Sequence, residues 1–372
     1  MRVVVAVPAV EVQKRLTPLN IACIALSESE VDIFTGVSLP SQLSAGNLPR
    51  LKGNSGVHYS ICAPSSLVAK IKESGSFKEL EKILPVSIST GGRENVPVED
   101  IQRATASFKR AEILKAADAR AALIMLTPDI ILSDGTFPKL YAMATEGKKY
   151  LVLVPDLPVD GRYAKELFNS DGFLETSSRR LAEYALRHPS PAIRWSRDGK
   201  TGATALRSKL FWRVGDNGML IRCFDWFPLL TWPRAVSFLN WAALDPDDVD
   251  IDMYYNTAPN AGDIHVATDS DDIAMLRLTD GSKPLPEFDK SNPTRFRLNH
   301  LGADHRRYSQ FKYYLRANNG EGEWKDAENM SDKFIARLHT RLEARATVND
   351  LLALAKLLTA GSGKPHNRSG EA

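Results

Sequence analysis

Cysteine is scarce. Three cysteines in 372 residues, Cys23, Cys62 and Cys223, are odd in number and widely spaced, which argues against a disulfide framework or a thiolate zinc site and fits a reducing compartment. Buried free thiols are the expectation. Long apolar runs are missing as well, since no stretch approaches the roughly 18 residues that a bilayer-spanning helix needs. The opening MRVVVAVPAVEVQKR has an apolar run shorter than a signal core and passes straight into charge without a small-residue cleavage pattern. A cytoplasmic protein is expected, with association at the inner face of the membrane left open. Excess charge is lacking too. The 48 Lys and Arg stand against 45 Asp and Glu, for a formal net charge of +3, so bulk charge gives no ground for nucleic-acid binding. There is no internal repeat, heptad seam, Walker motif or G-x-G-x-x-G. Neither a nucleophilic serine elbow nor a Cys-His pairing is present, which disfavours a covalent hydrolase.

What is present is an α/β pattern, and 43% hydrophobic content is enough for a substantial core. Its organising stretch is LIMLTPDIILSDGTFPKLYAMATEGKKYLVLVPD, from Leu123 to Asp156. LIML stops at Thr127-Pro128-Asp129, IIL stops at Ser133-Asp134-Gly135, a helical segment follows, and YLVLV ends at Pro155-Asp156. Short apolar runs bounded by turn residues, with about a dozen helical residues between two of them, read as buried strands of an α/β layer. Ligands of such sheets bind beyond the carboxyl ends of the strands. Asp129, Asp134 and Asp156 are expected there.

Upstream, RVVVAVP at 2–8 reads as a buried first strand, followed by a long Ser-, Leu- and Pro-rich connection ending SLPSQLSAGNLPRL, with a turn at Asn47 and Pro49. HYSICA (58–63) reads as a strand, SSLVAKIKESGSFKELEKIL as a helical pattern, and PVSI (85–88) as a short strand. A long amphipathic helix is expected over 98–122, with Ile101, Ala104, Phe108, Ala111, Ile113 and Leu114 on its apolar face. Downstream, a helical region spans 162–188, and Pro, Ser, Gly and charge between 189 and 204 suggest a boundary. An aromatic block follows from Leu206 to Phe238 and contains GMLIRCFDWF, read as strands. DIHVATDSDD reads as a strand with an acidic end, DHRRYSQFKYYLRANNG as a basic aromatic helix, 332–359 as an amphipathic helix, and the last residues as a tail. The division expected is 1–190 for nucleotide binding, 191–330 for the acceptor side of the site, and 331–372 for a helix and tail.

This order of strands, helices and an acid-ended turn suits an enzyme that uses a nucleotide-diphosphate sugar. Such a site must hold a diphosphate and neutralise its growing charge, which Mg²⁺ or Mn²⁺ does with one or two carboxylates, phosphate oxygens and water. FKRAEILKAADARAA followed by LIMLTPDIILSDGTFPKLYAMATEGKK resembles the segment of GT-A-type glycosyltransferases in which a helix leads into a strand and a D-x-D-like turn. LPSQLSAGNLPRL and VATDSDD are similar to parts of bacterial glycosyltransferase-like proteins of surface polysaccharide synthesis. The resemblance spans about residues 2–280, though short motifs carry it. It implies a GT-A-like, Rossmann-like core, a nucleotide-sugar donor and a saccharide or lipid-linked acceptor. It also implies Asp129 as a metal and diphosphate ligand, with Pro8, Asp134, Lys109 and Arg110 among the donor-binding residues.

The motif departs from the family pattern, because Thr127 stands where the first acid belongs. Asp134 is then a candidate second metal ligand. Asp269-Ser270-Asp271 is a literal D-x-D that competes for the metal, and Asp271 or Asp225 is a candidate general base. Each has a plainer reading: Asp129 as a strand terminator, Ser133 to Thr136 as a helix cap, Asp245 to Asp252 as a solvated loop, and the aromatic block as core. His300, His305, Arg306 and Arg307 read more readily as a solvated face than as a diphosphate site. His188 and His265 show no evident partner in the sequence.

Overall fold

The computed structural model describes residues 18–90, 98–146, 149–170, 174–191, 193, 204–206, 209–224, 226–233, 261–280, 309–318 and 324–340. The strand expected at 2–8, with Pro8, lies outside these residues, as do Asp225, the 245–252 acids, the 300–307 basic group and the tail. In chain order the elements are β1 (Leu19–Ile24), α1 (Glu28–Ile33), α2 (Leu39–Gln42), β2 (Val57–Cys62), α3 (Ser65–Glu73), α4 (Gly75–Glu81) and β3 (Val86–Ser89). Then follow α5 (Val98–Ala119), β4 (Ala122–Leu126), β5 (Ile130–Leu132), α6 (Thr136–Thr145), β6 (Leu151–Val154), β7 (Leu157–Asp160) and α7 (Ser178–Arg187). The remainder comprises β8 (Thr204–Leu206), β9 (Lys209–Val214), β10 (Gly218–Cys223), β11 (Phe227–Thr231), β12 (Ile264–Val266), β13 (Met275–Thr279) and β14 (Lys312–Arg316). A helix over 324–340, α8, closes the described chain.

The central sheet has the order β12-β6-β11-β4-β1-β2-β3. β1 is parallel to both β2 and β4, β2 to β3, and β6 to β12, while β11 runs antiparallel to its neighbours β4 and β6. The fold is therefore mixed α/β with a largely parallel, Rossmann-like central sheet. β1 occupies the middle because every one of its residues is buried and its side chains divide between two faces. Ala22 and Ile24 meet Phe108, Ile113 and Ala116 of α5, whereas Leu19, Ile21 and Cys23 face the main core with Val31, Phe34 and Leu39. Burial on both faces is what a central parallel strand requires. A fully buried Ile or Leu here contributes about 1.5–3 kcal/mol.

Two smaller sheets complete the structure. β5, β13 and β7 form one, with β13 in the middle, antiparallel to β5 and parallel to β7. β14, β10, β9 and β8 form an antiparallel sheet. Its outer face carries Trp212, Leu220 and Phe224 against Trp324, Ile335 and Leu338 of α8. Phe211, Trp212, Phe224 and Trp226 are all buried, so these members of the aromatic block are core.

Several elements differ from expectation. β1 lies inside the stretch read as a connection. The single helical pattern after β2 is two helices, because Ser74 leaves helical geometry and accepts a hydrogen bond from the Phe77 N–H as the N-cap of α4. The basic aromatic helix is β14 over its described core, with Tyr313 and Leu315 buried and their neighbours half-buried. α8 is already helical at Trp324, earlier than 332. On α5, Ala111 and Leu114 face solvent and Glu112 takes the buried side.

Gly218 marks the tightest approach in the four-stranded sheet. A Cβ there would stand 2.0 Å from the Leu315 carbonyl oxygen and 2.8 Å from the Trp324 ring, whereas one at Gly36 would meet nothing within 4 Å. Gly218→Ala should lose about 2 kcal/mol of stability in urea unfolding. Gly36→Ala should leave stability unchanged or raise it by up to about 1 kcal/mol. Equal effects would contradict the packing described.

Candidate functional site

The chain order of the central sheet reverses between β1 and β4: β2 and β3 continue on one side of β1, while β4 starts the other. A crevice beyond the carboxyl ends of the strands at such a reversal is where ligands of open α/β sheets bind. Two chain crossings shape it here. After β4 the chain passes through Thr127-Pro128-Asp129 into β5, and after β6 it passes through Pro155-Asp156 into β7. Both crossings leave the large sheet for the same small one. Asp129 and Asp156 thus stand at the seam between the two sheets.

Arg277, on the middle strand β13 of the small sheet, reaches both. Its Nε donates to Asp156 Oδ2 at 2.6 Å, and its Nη1 lies 3.3 and 3.4 Å from the two Asp129 oxygens and 3.1 Å from Thr127 Oγ1. The Thr127 hydroxyl in turn donates to Asp129 Oδ1 at 2.5 Å. Below, the guanidinium lies 5.7 Å from the centre of the Phe227 ring, a cation–π contact from the start of β11. The backbone repeats the linkage, with the Leu278 N–H donating to the Asp129 carbonyl at 2.8 Å.

Lys209, the first residue of β9, forms an ion pair with the other oxygen of Asp156. The side chains of Asp156 and Lys209 are 14% and 9% exposed, those of Arg277 and Asp129 26% and 27%, so the site grades from a buried pair to an open one. Burial alone would raise the Asp156 pKa, but the charges of Lys209 and Arg277 outweigh it and hold the carboxyl below its ordinary value. Arg277 loses some preference for its charge to burial and regains more from Asp156 and Asp129. Lys109 of α5 is pushed down, first by burial and then by the charge of Arg277. Lys109 follows Phe108, which packs with Ala22 and Ile24 at the carboxyl half of β1. Arg110 is half-buried on the same helix.

The other acids expected here are placed elsewhere. Asp134 accepts from the Ser44 hydroxyl at 2.6 Å and the Gly46 N–H at 2.8 Å, so it holds the 44–47 turn. It does not cap α6. Gly135, with φ +82°, takes the N-cap position without a side-chain bond, and the buried Asn47 supplies the cap by accepting from the Phe137 N–H. Asp269 is paired with Arg316 Nε at 2.7 Å and Asp271 with Arg179 Nη2 at 2.5 Å. Asp269 also accepts from the Asp271 N–H at 3.0 Å, so this D-x-D is a turn that ties β14 and α7 to the end of β12. Both histidines have partners, His188 in Glu166 at 2.8 Å and His265 in Asp272 at 2.7 Å.

Arg277 and Lys209 were not singled out by sequence reasoning. They lie 121 and 53 residues from Asp156, and no local pattern marks a basic residue in a strand as the partner of a distant acid. The one usable signal was the placement of Arg277 within an apolar run, MLRL, where a charge demands a partner.

A divalent ion asks for several oxygen ligands. At this seam two carboxylates are matched by two fixed cations, and among the described residues no three acidic, histidine or cysteine side chains gather as a metal cage. The donor set as placed does not fit a resident Mg²⁺ or Mn²⁺.

No protein-family model and no curated protein matches the chain. Solved structures that align with it include the crystal structure of S. aureus TarS, at 16% identity and TM-score 0.25 over 39% of this chain and 23% of that one. The crystal structure of S. aureus TarS 1-349 aligns at 16% identity and TM-score 0.26, over 39% and 37%. The chain spans well under half of either, and alignments this loose carry no argument. Among the described residues no helix is long and apolar enough to cross a membrane.

The lowered pKa of Asp156 has a pH signature. Its ionised, paired form contributes stability that is fully present above the ordinary aspartate value of about 3.9 and is lost as pH falls through its lower folded value. Asp156→Asn should therefore cost about 3 kcal/mol at neutral pH, because Lys209 is left buried without its charge partner. In urea titrations the gap to the parent should narrow only below about pH 4. A gap that stays constant into strong acid would contradict the ion pair.

Proposed function

We propose that this chain is a glycosyltransferase of GT-A-like architecture, moving a sugar from a nucleotide-sugar donor to a saccharide or lipid-linked acceptor. The observation that carries the reading is the position of Asp129. It follows β4 after Thr127-Pro128, at the reversal of strand order, in the segment whose helix, strand and acidic turn resemble that family. The donor diphosphate would lie across the carboxyl ends of β1 and β4, with the nucleoside over the sheet edge and the sugar directed toward the β11 side. An acid on the acceptor side takes the acceptor proton if the reaction inverts. Asp271 is tied to Arg179, so we assign that role to Asp225 on sequence position alone, next to Trp226 and Phe227. Surface polysaccharide synthesis at the cytoplasmic face of the membrane is the setting that the resemblance implies.

A second reading has an observation in its favour. Thr127 replaces the first acid of the motif and donates its hydrogen bond to Asp129, which fits a nucleotide- or carbohydrate-binding protein that keeps the site without turnover.

Thermal unfolding with UDP, GDP, CMP and their sugars tests both. A ligand at a hundred times its Kd stabilises the native state by about 2.7 kcal/mol. One nucleotide should raise the melting temperature, and Asp269→Ala, whose carboxylate is tied to Arg316 away from the seam, should keep the shift. Release of free nucleotide from the matching donor then separates enzyme from binder. No shift with any nucleotide would remove both readings.

A further inference from the structure

We infer that the seam binds the donor's diphosphate with side-chain cations in place of a divalent metal: Arg277 and Lys109 form the anion site, Asp129 is the counter-ion that Arg277 gives up when the donor arrives, and Asp156 with Lys209 holds Arg277 from behind. The inference rests on the proposed function and names how its leaving group is held.

Three observations support it. The first is charge balance. Asp129 and Asp156 carry two negative charges, and Arg277 and Lys209 carry two positive ones within ion-pair distance. A divalent ion entering here would have to displace a cation from each carboxylate and stand beside Arg277, whereas a diphosphate has to displace only Asp129 from the Arg277 Nη1 edge. The second is a gradient of grip. Arg277 holds Asp156 at 2.6 Å but Asp129 only at 3.3 Å and beyond. The Nη1 edge, on the more exposed side, is thus the one that can exchange a carboxylate for a phosphate, and a guanidinium offers the paired donors that phosphate oxygens take. The third is Lys109. Its neighbour on α5, Phe108, packs in one cluster with Ile24, the last residue of β1, and burial and the charge of Arg277 lower the Lys109 pKa, so an arriving anion favours its charged form. Meanwhile Asp156 and the Phe227 ring keep Arg277 aligned while its other edge moves.

Calorimetric titration of UDP, GDP and the matching monophosphates into the full chain, in EDTA and in Mn²⁺, tests this. Once the preferred base is found, the diphosphate should bind in EDTA within about threefold of its affinity in Mn²⁺, and about tenfold tighter than the monophosphate. Binding in EDTA should weaken steeply with salt, as expected for a site built of fixed charges. Lys109→Gln should reduce the diphosphate preference several-fold with an unchanged melting temperature. Among the described residues Lys109 makes no hydrogen bond or ion pair that folding depends on, so this variant avoids the folding defect expected of Arg277→Ala. Diphosphate binding that appears only with Mn²⁺ would overturn the inference and leave the proposed function standing. No nucleotide binding in either condition would overturn both. Full diphosphate preference retained in Lys109→Gln would remove Lys109 from the site.

Discussion

One guanidinium between two carboxylates fixes the relation of the two sheets that form the crevice. β4 and β6 each hand the chain to the small sheet through an aspartate, and Arg277 binds both aspartates from the strand lying between the receiving ones. An exposed ion pair of this kind is worth little, about 0–1 kcal/mol. This one is partly buried and shared, so removing a partner leaves an uncompensated charge at a cost of about 3–5 kcal/mol. The strand pairing around it matches this placement. β13 lies parallel to β7 and antiparallel to β5, and its arginine spans the two crossings that feed those strands.

The arrangement serves two ends at once. Deep in the seam, Asp156 with Lys209 behaves as a structural pair, well screened from water. Toward the opening, Asp129 is held loosely, braced by the Thr127 hydroxyl and the turn that begins β5. Stiffness on one side and exchangeable contacts on the other are what a binding site needs if it is to open toward an anion without loosening the core beneath. The second sheet and α8 support this from outside through Lys209, whose strand β9 is fixed by the Trp212 and Phe224 core.

Much of the central architecture was legible in the sequence. The apolar runs of β4, β5 and β6, and the acids ending them, could be read because buried parallel strands leave unbroken hydrophobic stretches and their ends need turn residues. β1 escaped because it sits among Ser, Pro and Leu residues that look like a connection. β14 escaped because aromatic residues and basic residues alternate at a spacing that also suits a helix. Asp134 shows a different limit. Its identity and place at a strand end suggested a ligand or a cap, yet its use is decided by Ser44 and Gly46, some ninety residues earlier. The partners at the seam were illegible for the same reason: charge complementarity between strands distant in sequence leaves no local pattern. The literal D-x-D at Asp269 to Asp271 was the most visible acidic motif, and the structure employs it in holding arginines of β14 and α7.

The most direct test of the central claim is a crystal structure of the chain with its preferred nucleoside diphosphate under chelating conditions. The account predicts the diphosphate at the carboxyl ends of β1 and β4, in hydrogen-bond reach of the Arg277 Nη1 edge, with Asp156 still bound to Arg277 and Lys209. A nucleotide seated away from this seam, or a diphosphate there with the Arg277–Asp129 contact intact and no cation on its oxygens, would contradict it.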